Sequence, residues 1–265
     1  MTQVDELLTF LGEAVTPFHA VAAMSRRLTS AGFEAVTAFD PDTMVPGRGY
    51  FMTRQGSSLI ALRAGQGEPS EGLRLVGAHT DSPNLSVKPN PVLGRGGCVQ
   101  LSVDVYGGAL LNPWFDRDLA LAGRVTMLNK AGQLESVLFD SGAAVAVLPS
   151  LAIHLDREAN SKRSINPQKD VVPLVMLGEA DTFDLKAWLA ERLAAQKSDY
   201  QGMRVMDYEL SLYDTQRPGR VGIDQSFIAS ARLDNLLSCY AGLSAMIDAT
   251  DAEWSMLVAT DHEEV

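Results

Sequence analysis

The sequence predicts an α/β protein in which one α/β domain is divided along the chain by an inserted β-rich domain. Three features predict it. Residues 1–90 mix helical and strand patterns, residues 91–230 read mostly as strands, and residues 231–265 return to a helix followed by a buried strand.

Val4, Leu7, Leu8 and Leu11 recur at helical spacing behind Thr2, a suitable N-cap with Asp5 three residues on. A second helix is expected over about 17–30, stopped by Gly32. Residues 50–53 and 59–62 flank Gln55-Gly56-Ser57 and predict a hairpin, and 73–78 form a short apolar run suited to a buried strand. After Pro89-Asn90-Pro91 strands are expected over 98–106, 124–128, 134–139 and 204–213. One helix interrupts them over 182–196, with Leu185, Trp188, Leu189 and Leu193 on one face. Residues 234–248 predict a helix and 254–260 a buried central strand.

The composition is that of an ordinary globular chain: 265 residues, 46% hydrophobic, mean hydropathy +0.01. A net charge of −11 argues against nucleic acid or an anionic membrane as partner, since both would repel it. Cys98 and Cys239 stand far apart in apolar surroundings and read as small buried hydrophobes in a reducing compartment; there is no C-x-x-C. The first ten residues are acidic and amphipathic, and no stretch approaches the roughly 18 apolar residues that span a bilayer. The cytoplasm is the expected location. Asp261-His262-Glu263-Glu264-Val265 follows the last strand directly, without the usual helix, so the chain is expected to be cut from a larger one.

Three clusters carry chemistry. His79-Thr80-Asp81 follows the 73–78 strand, Asp234 opens a helix, and Asp261-His262-Glu263-Glu264 follows the 254–260 strand. Ligands bind at the carboxyl edge of open α/β sheets, so two clusters point to one place. His79 with Asp81 is a sensible metal-ligand pair, the carboxylate fixing the imidazole tautomer; taken alone, the pattern is more often a turn with an ordinary Asx residue. Glu263 and Glu264 can serve different partners, one ligating and one taking a proton from water, or form a solvated acidic stretch. Asp234 can bridge two cations or simply cap its helix. Together they favour a dinuclear hydrolase.

GAHTDSPNLSVKPNP, NPWFDRDLALAGRV, LAIHLDR, ARLDN and DHEEV occur in this order. With TPFHAV near the start, they closely resemble the aspartyl aminopeptidase family, which includes the bacterial aminopeptidase 2 type and vacuolar aminopeptidase I. The resemblance implies a zinc-exopeptidase-like αβα catalytic domain, incomplete here, with an inserted β-rich dimerisation domain. It implies that His79 ligates one zinc, Asp234 bridges both, Glu264 ligates the other, Asp81 orients His79, and Glu263 is the general base. His154 resembles a histidine that helps hold the substrate carbonyl in a neighbouring subunit's site. His262 and His19 receive no such role. The implied activity is a metallo-aminopeptidase with two Zn2+, or Co2+ or Mn2+ in their place, acting on peptides with a free N-terminus, with acidic N-terminal residues as the family name suggests. Dimers assembling into a tetrahedral dodecamer are the implied homo-oligomer.

The family chain continues past DHEEV with a further Asp ligand and a final His ligand, which leaves His79, Asp234 and Glu264 here. This chain is therefore expected to be inactive alone. The alternatives are a non-catalytic truncated assembly subunit and a related co-catalytic zinc deacylase.

Overall fold

The structure, a computed structural model, describes residues 2–250 and 252–265. Its contacts divide the chain into one unit of Met1–Ser82 with Arg217–Val265 and another of Pro83–Gln216.

The first unit opens on helix α1 (Gln3–Glu13), started by a reciprocal cap: the Thr2 hydroxyl accepts from the Asp5 N–H, and the Asp5 carboxylate accepts from the Thr2 N–H. Helix α2 (Pro17–Ser30) starts on Thr16 with proline at its first position, and Gly32 follows it at φ +83. Strands β1 (Glu34–Ala35), β2 (Gly49–Arg54), β3 (Ser58–Arg63) and β4 (Leu73–His79) come next. The second unit supplies β5 (Asn84–Arg95), β6 (Cys98–Tyr106), β7 (Asp118–Leu128), β8 (Leu134–Asp140), β9 (Ala146–Val147), β10 (Leu174–Leu177), α3 (Leu185–Gln196) and β11 (Arg204–Asp214). The chain then returns to the first unit through the hairpin β12 (Gly219–Val221) and β13 (Phe227–Ala229), helix α4 (Leu233–Asp248) and β14 (Trp254–Thr260).

In the first unit five strands run β1-β2-β3-β14-β4. β14 pairs antiparallel with β3 and parallel with β4, with Thr260 opposite His79. Strand alternation sends Phe51, Leu59, Ala61, Leu257 and Ala259 into a core shared with α1, α2 and α4. Their neighbours Tyr50, Leu62 and Trp254 form a smaller cluster on the opposite face. β14 is the buried inner strand the sequence predicts, but β4 is not buried: it is the last strand of the sheet, and Leu75 is 58% exposed. An apolar run marks a strand without marking how many neighbours it has.

In the second unit β11 pairs with both β5 and β7. This closes a ring through β5, β6, β10, β9, β7 and back to β11, with β8 added on β7. Gly123 sits where β7 crosses closest to β11; a Cβ there would lie 1.9 Å from the Glu209 carbonyl oxygen. Helix α3 begins on the Asp184 side chain, which accepts from the Lys186 and Ala187 N–H groups, and buries Leu185, Leu189 and Leu193. The helix expected from residue 182 thus starts after a separate 3-10 turn, Ala180–Thr182. The units meet in sequence at 82/83 and 216/217, where the sequence places boundaries at 90/91 and 230/231. Pro89 and Pro91 are absorbed by a register shift within β5, between Val87 and Val92, so one strand runs across the expected boundary. The β12–β13 hairpin likewise falls in the first unit. Among the described residues, no helix is long and apolar enough to cross a membrane.

Leu257 is fully buried in the first unit's core, whereas Leu75 stands in solvent. Leu257→Ala should cost about 3 kcal/mol and Leu75→Ala under about 0.5, read as shifts of the urea unfolding midpoint.

Candidate metal centre

His79 is the last residue of β4, and β14 ends opposite it. The two strand ends are fastened side by side: the Thr80 N–H donates to the Thr260 carbonyl at 2.7 Å, and the Thr80 hydroxyl donates to the carbonyls of Ser57 and Thr260. The Asp261 N–H donates to the Ser58 hydroxyl at 2.8 Å, turning the chain at the end of β14. Parallel pairing therefore brings residues 79–82 and 261–264 to one lip of the sheet.

The His79 ring is 13% exposed and has two distinct sides. Nδ1 lies 3.1 Å from the Asp81 carbonyl oxygen and 3.3 Å from Asp81 Oδ1. Both are acceptors, so the tautomer with the proton on Nδ1 is the one that would leave Nε2 able to ligate a metal. Nε2 faces Asp234 Oδ1 at 3.4 Å and Glu263 Oε2 at 3.8 Å. Asp81 is fully buried, and its Oδ2 accepts the Glu264 N–H at 3.0 Å. Asp81 thus touches both the imidazole, through its carbonyl oxygen and at ion-pair distance through Oδ1, and the segment carrying the two glutamates.

Asp234 lies at the start of α4, but as part of a kink: Arg232 is left-handed at φ +60, and Asp234 and Asn235 have non-helical φ/ψ and are joined by a cis peptide bond. The Arg232 side chain, which precedes the helix, makes no cap bond. The Asp234 side chain is 80% exposed and turned to His79 Nε2. The Ser82 hydroxyl donates to its carbonyl oxygen at 2.9 Å.

Ligand atoms of His79, Glu263 and Glu264 lie within 4.8 Å of one another. One imidazole nitrogen ringed by carboxylates is a donor set that zinc accepts. Without a cation the carboxylates repel one another; a divalent ion removes that penalty.

His154 lies in the second unit, on the irregular segment between β9 and β10, and is exposed beside exposed Leu151, Ile153 and Leu155. His19 is structural: its Nδ1 lies 2.8 Å from the Thr16 hydroxyl at the cap of α2. His262 is exposed, with Nε2 3.5 Å from Asp261 Oδ2. Three residues near the centre escaped sequence reasoning: Ser82, Asn235 and Cys239. The Asn235 Oδ1 accepts the His79 N–H at 3.1 Å, and the Cys239 thiol donates to the His79 carbonyl at 3.1 Å. Burial, reinforced by the negative charge of Asp81, pushes the Cys239 thiol up to about 12.

The profile of the aminopeptidase I zinc metalloprotease family, M18, matches residues 10–265. A probable M18 family aminopeptidase 2 of Ectopseudomonas mendocina is 53% identical over 264 residues, which are 99% of this chain and 61% of that protein. The chain therefore spans about three-fifths of the length of such relatives. Among solved structures, the Ape4 and Nbr1 complex superposes with a TM-score of 0.91 at 30% identity, over 99% of this chain and 55% of that one. The S. cerevisiae mApe1 dodecamer shares the fold at 24% identity, with a TM-score of 0.79 over 98% of this chain and 60% of that one.

A thiol with a raised pKa stays protonated in the fold. Its contribution to stability is full below the ordinary thiol value of 9.0 and is lost as pH rises toward about 12. At pH 8, iodoacetamide should label the partly exposed Cys98 in the native protein and reach Cys239 only on unfolding, as read by intact mass.

Proposed function

The chain belongs to the aminopeptidase I zinc metalloprotease family, M18, and from that premise we propose that it carries part of the dinuclear zinc centre of an aminopeptidase. One observation carries the reading: His79 Nε2 faces Asp234 and Glu263, while Nδ1 lies against buried Asp81.

In this reading His79, Asp234 and Glu264 would hold zinc. Zinc supplies Lewis acidity, polarising a peptide carbonyl and bringing the ionisation of water to near pH 7. The chain's own side chains do the rest. Asp81 lies against His79 Nδ1 and orients the ring so that Nε2 is the nitrogen offered to a metal. Glu263, exposed and 3.8 Å from Nε2, takes a proton from the attacking water and returns it to the leaving amine. The free amine of a peptide is attracted by the exposed carboxylates of Asp234 and Glu263, which favours N-terminal residues over internal ones. His154 is assigned to holding the substrate carbonyl of a neighbouring subunit. The second unit is the assembly surface, with exposed Leu110, Leu151, Leu155 and Leu177, in a homo-oligomer of the kind the S. cerevisiae neighbour forms. Dimers building a tetrahedral dodecamer are the arrangement proposed, and the cytoplasm is the proposed location. A preference for acidic N-terminal residues belongs to the same reading.

Two zinc sites need about four ligands each, and these residues supply fewer. The 265-residue chain should bind zinc weakly and cleave no aminoacyl substrate; two tightly held zinc ions with turnover would contradict this. Fused to the remaining two-fifths of the E. mendocina relative, it should cleave peptides with a free N-terminus and spare their acetylated forms. In that fusion Glu263→Gln should keep zinc and lower kcat by roughly 10²–10⁴-fold. Equal cleavage of blocked peptides would point instead to a deacylase, and a zinc-loaded fusion without turnover to an assembly subunit.

A further inference from the structure

We propose that Ser82, Asn235 and Cys239 are positioning residues that lock the backbones of His79 and Asp234 together for metal binding, an inference that rests on the zinc reading above. Among the described residues, β4 has a neighbour on one side only. Because the Thr80 N–H points inward to Thr260, the N–H and C=O of His79 point outward, away from the sheet ladder. Both find partners on α4. Asn235 Oδ1 accepts the N–H at 3.1 Å, and Cys239 Sγ donates to the C=O at 3.1 Å. Asn235 and Cys239 are four residues apart, one helical turn, and so grip the two sides of a single residue.

The grip is returned. Ser82, three residues after His79, donates its hydroxyl to the carbonyl of Asp234, the residue before Asn235. Asp234 and Asn235 depart from helical φ/ψ, so the α4 hydrogen-bond ladder does not set the position of the exposed Asp234 carboxylate. Each ligand's main chain is held by a side chain from the other ligand's segment. Ser82 is nearly buried and Cys239 fully so, which keeps water from competing for these bonds. Ligands must be fixed to about half an ångström for a metal to hold its geometry, and these bonds tie the His79 and Asp234 segments to each other.

The test is zinc affinity of the full 265-residue chain, measured by competition with a chromophoric chelator. Ser82→Ala, Asn235→Ala and Cys239→Ala should each weaken binding by about 10–100-fold with far-UV circular dichroism unchanged. Ser82→Thr and Cys239→Ser, which keep a donor, should restore it; a merely structural role would not track the donor atom. Folded alanine variants with wild-type affinity overturn the proposal. Where an alanine variant does not fold, hydrogen exchange of the His79 amide in the metal-free wild-type chain decides: protection is expected, and exchange at the free-peptide rate overturns it. No zinc uptake by either the wild-type chain or the fusion described above sinks the metal reading itself and this inference with it, whereas wild-type uptake with unchanged variants sinks the lock alone.

Discussion

Parallel pairing of β4 with β14 is the constraint on which the candidate centre depends. Parallel strands end at the same edge, so whatever follows each strand is delivered to the same place. Here the last residues of the two strands, His79 and Thr260, are direct partners, and the main chain locks them again through the Thr80 N–H and the Thr260 carbonyl. A histidine and a pair of glutamates 184 positions apart in the chain thereby become neighbours. An antiparallel pairing of the same two strands would send them to opposite ends of the sheet. The hydrophobic reason for the pairing lies below the lip: Leu257 and Ala259 of β14 enter the core against α1, α2 and α4.

Buried Asp81 adds a second constraint. Its two oxygens face different segments, one the His79 ring and the other the Glu264 amide. A carboxylate removed from water is costly unless its charge is used. In the proposed centre that cost goes to orientation, with Asp81 set against the His79 ring on one side and the start of the acidic segment after β14 on the other. Asp234 and Glu263, by contrast, remain largely in solvent.

Much of this was legible in the sequence because it follows from local rules. The Thr2–Asp5 cap, the 17–30 helix with Gly32 after it, the β2–β3 hairpin and the inner strand β14 are all patterns of spacing and turn chemistry. The His79, Asp81 and Glu263-Glu264 clusters were visible because each follows an apolar strand. What stayed hidden depends on pairing partners. β5 looks interrupted by Pro89 and Pro91, yet a register shift carries it through. Residues 119–122 are buried on both faces, so β7 lacks alternation where it begins and was legible only from residue 124 onward. β4 gives no sign of being an edge strand. Ser82, Asn235 and Cys239 look like a turn serine, a helix-start amide and a small apolar residue; their bonds to main-chain atoms of distant segments leave no periodic trace.

The outer rail of β4 has a cost in crowded solution. Proteins ordinarily guard such a rim with proline, lysine or a bulge. Between Leu73 and His79 there is no proline and no lysine, the register with β14 is unbroken, and the lone cation, Arg74, is already tied to Glu253. Leu73, Leu75 and Val76 stand in water along it. The strand that carries the histidine to its place is therefore also the part of the first unit most ready to template an adventitious sheet, so left bare it sets an upper limit on the concentration at which the chain stays dispersed.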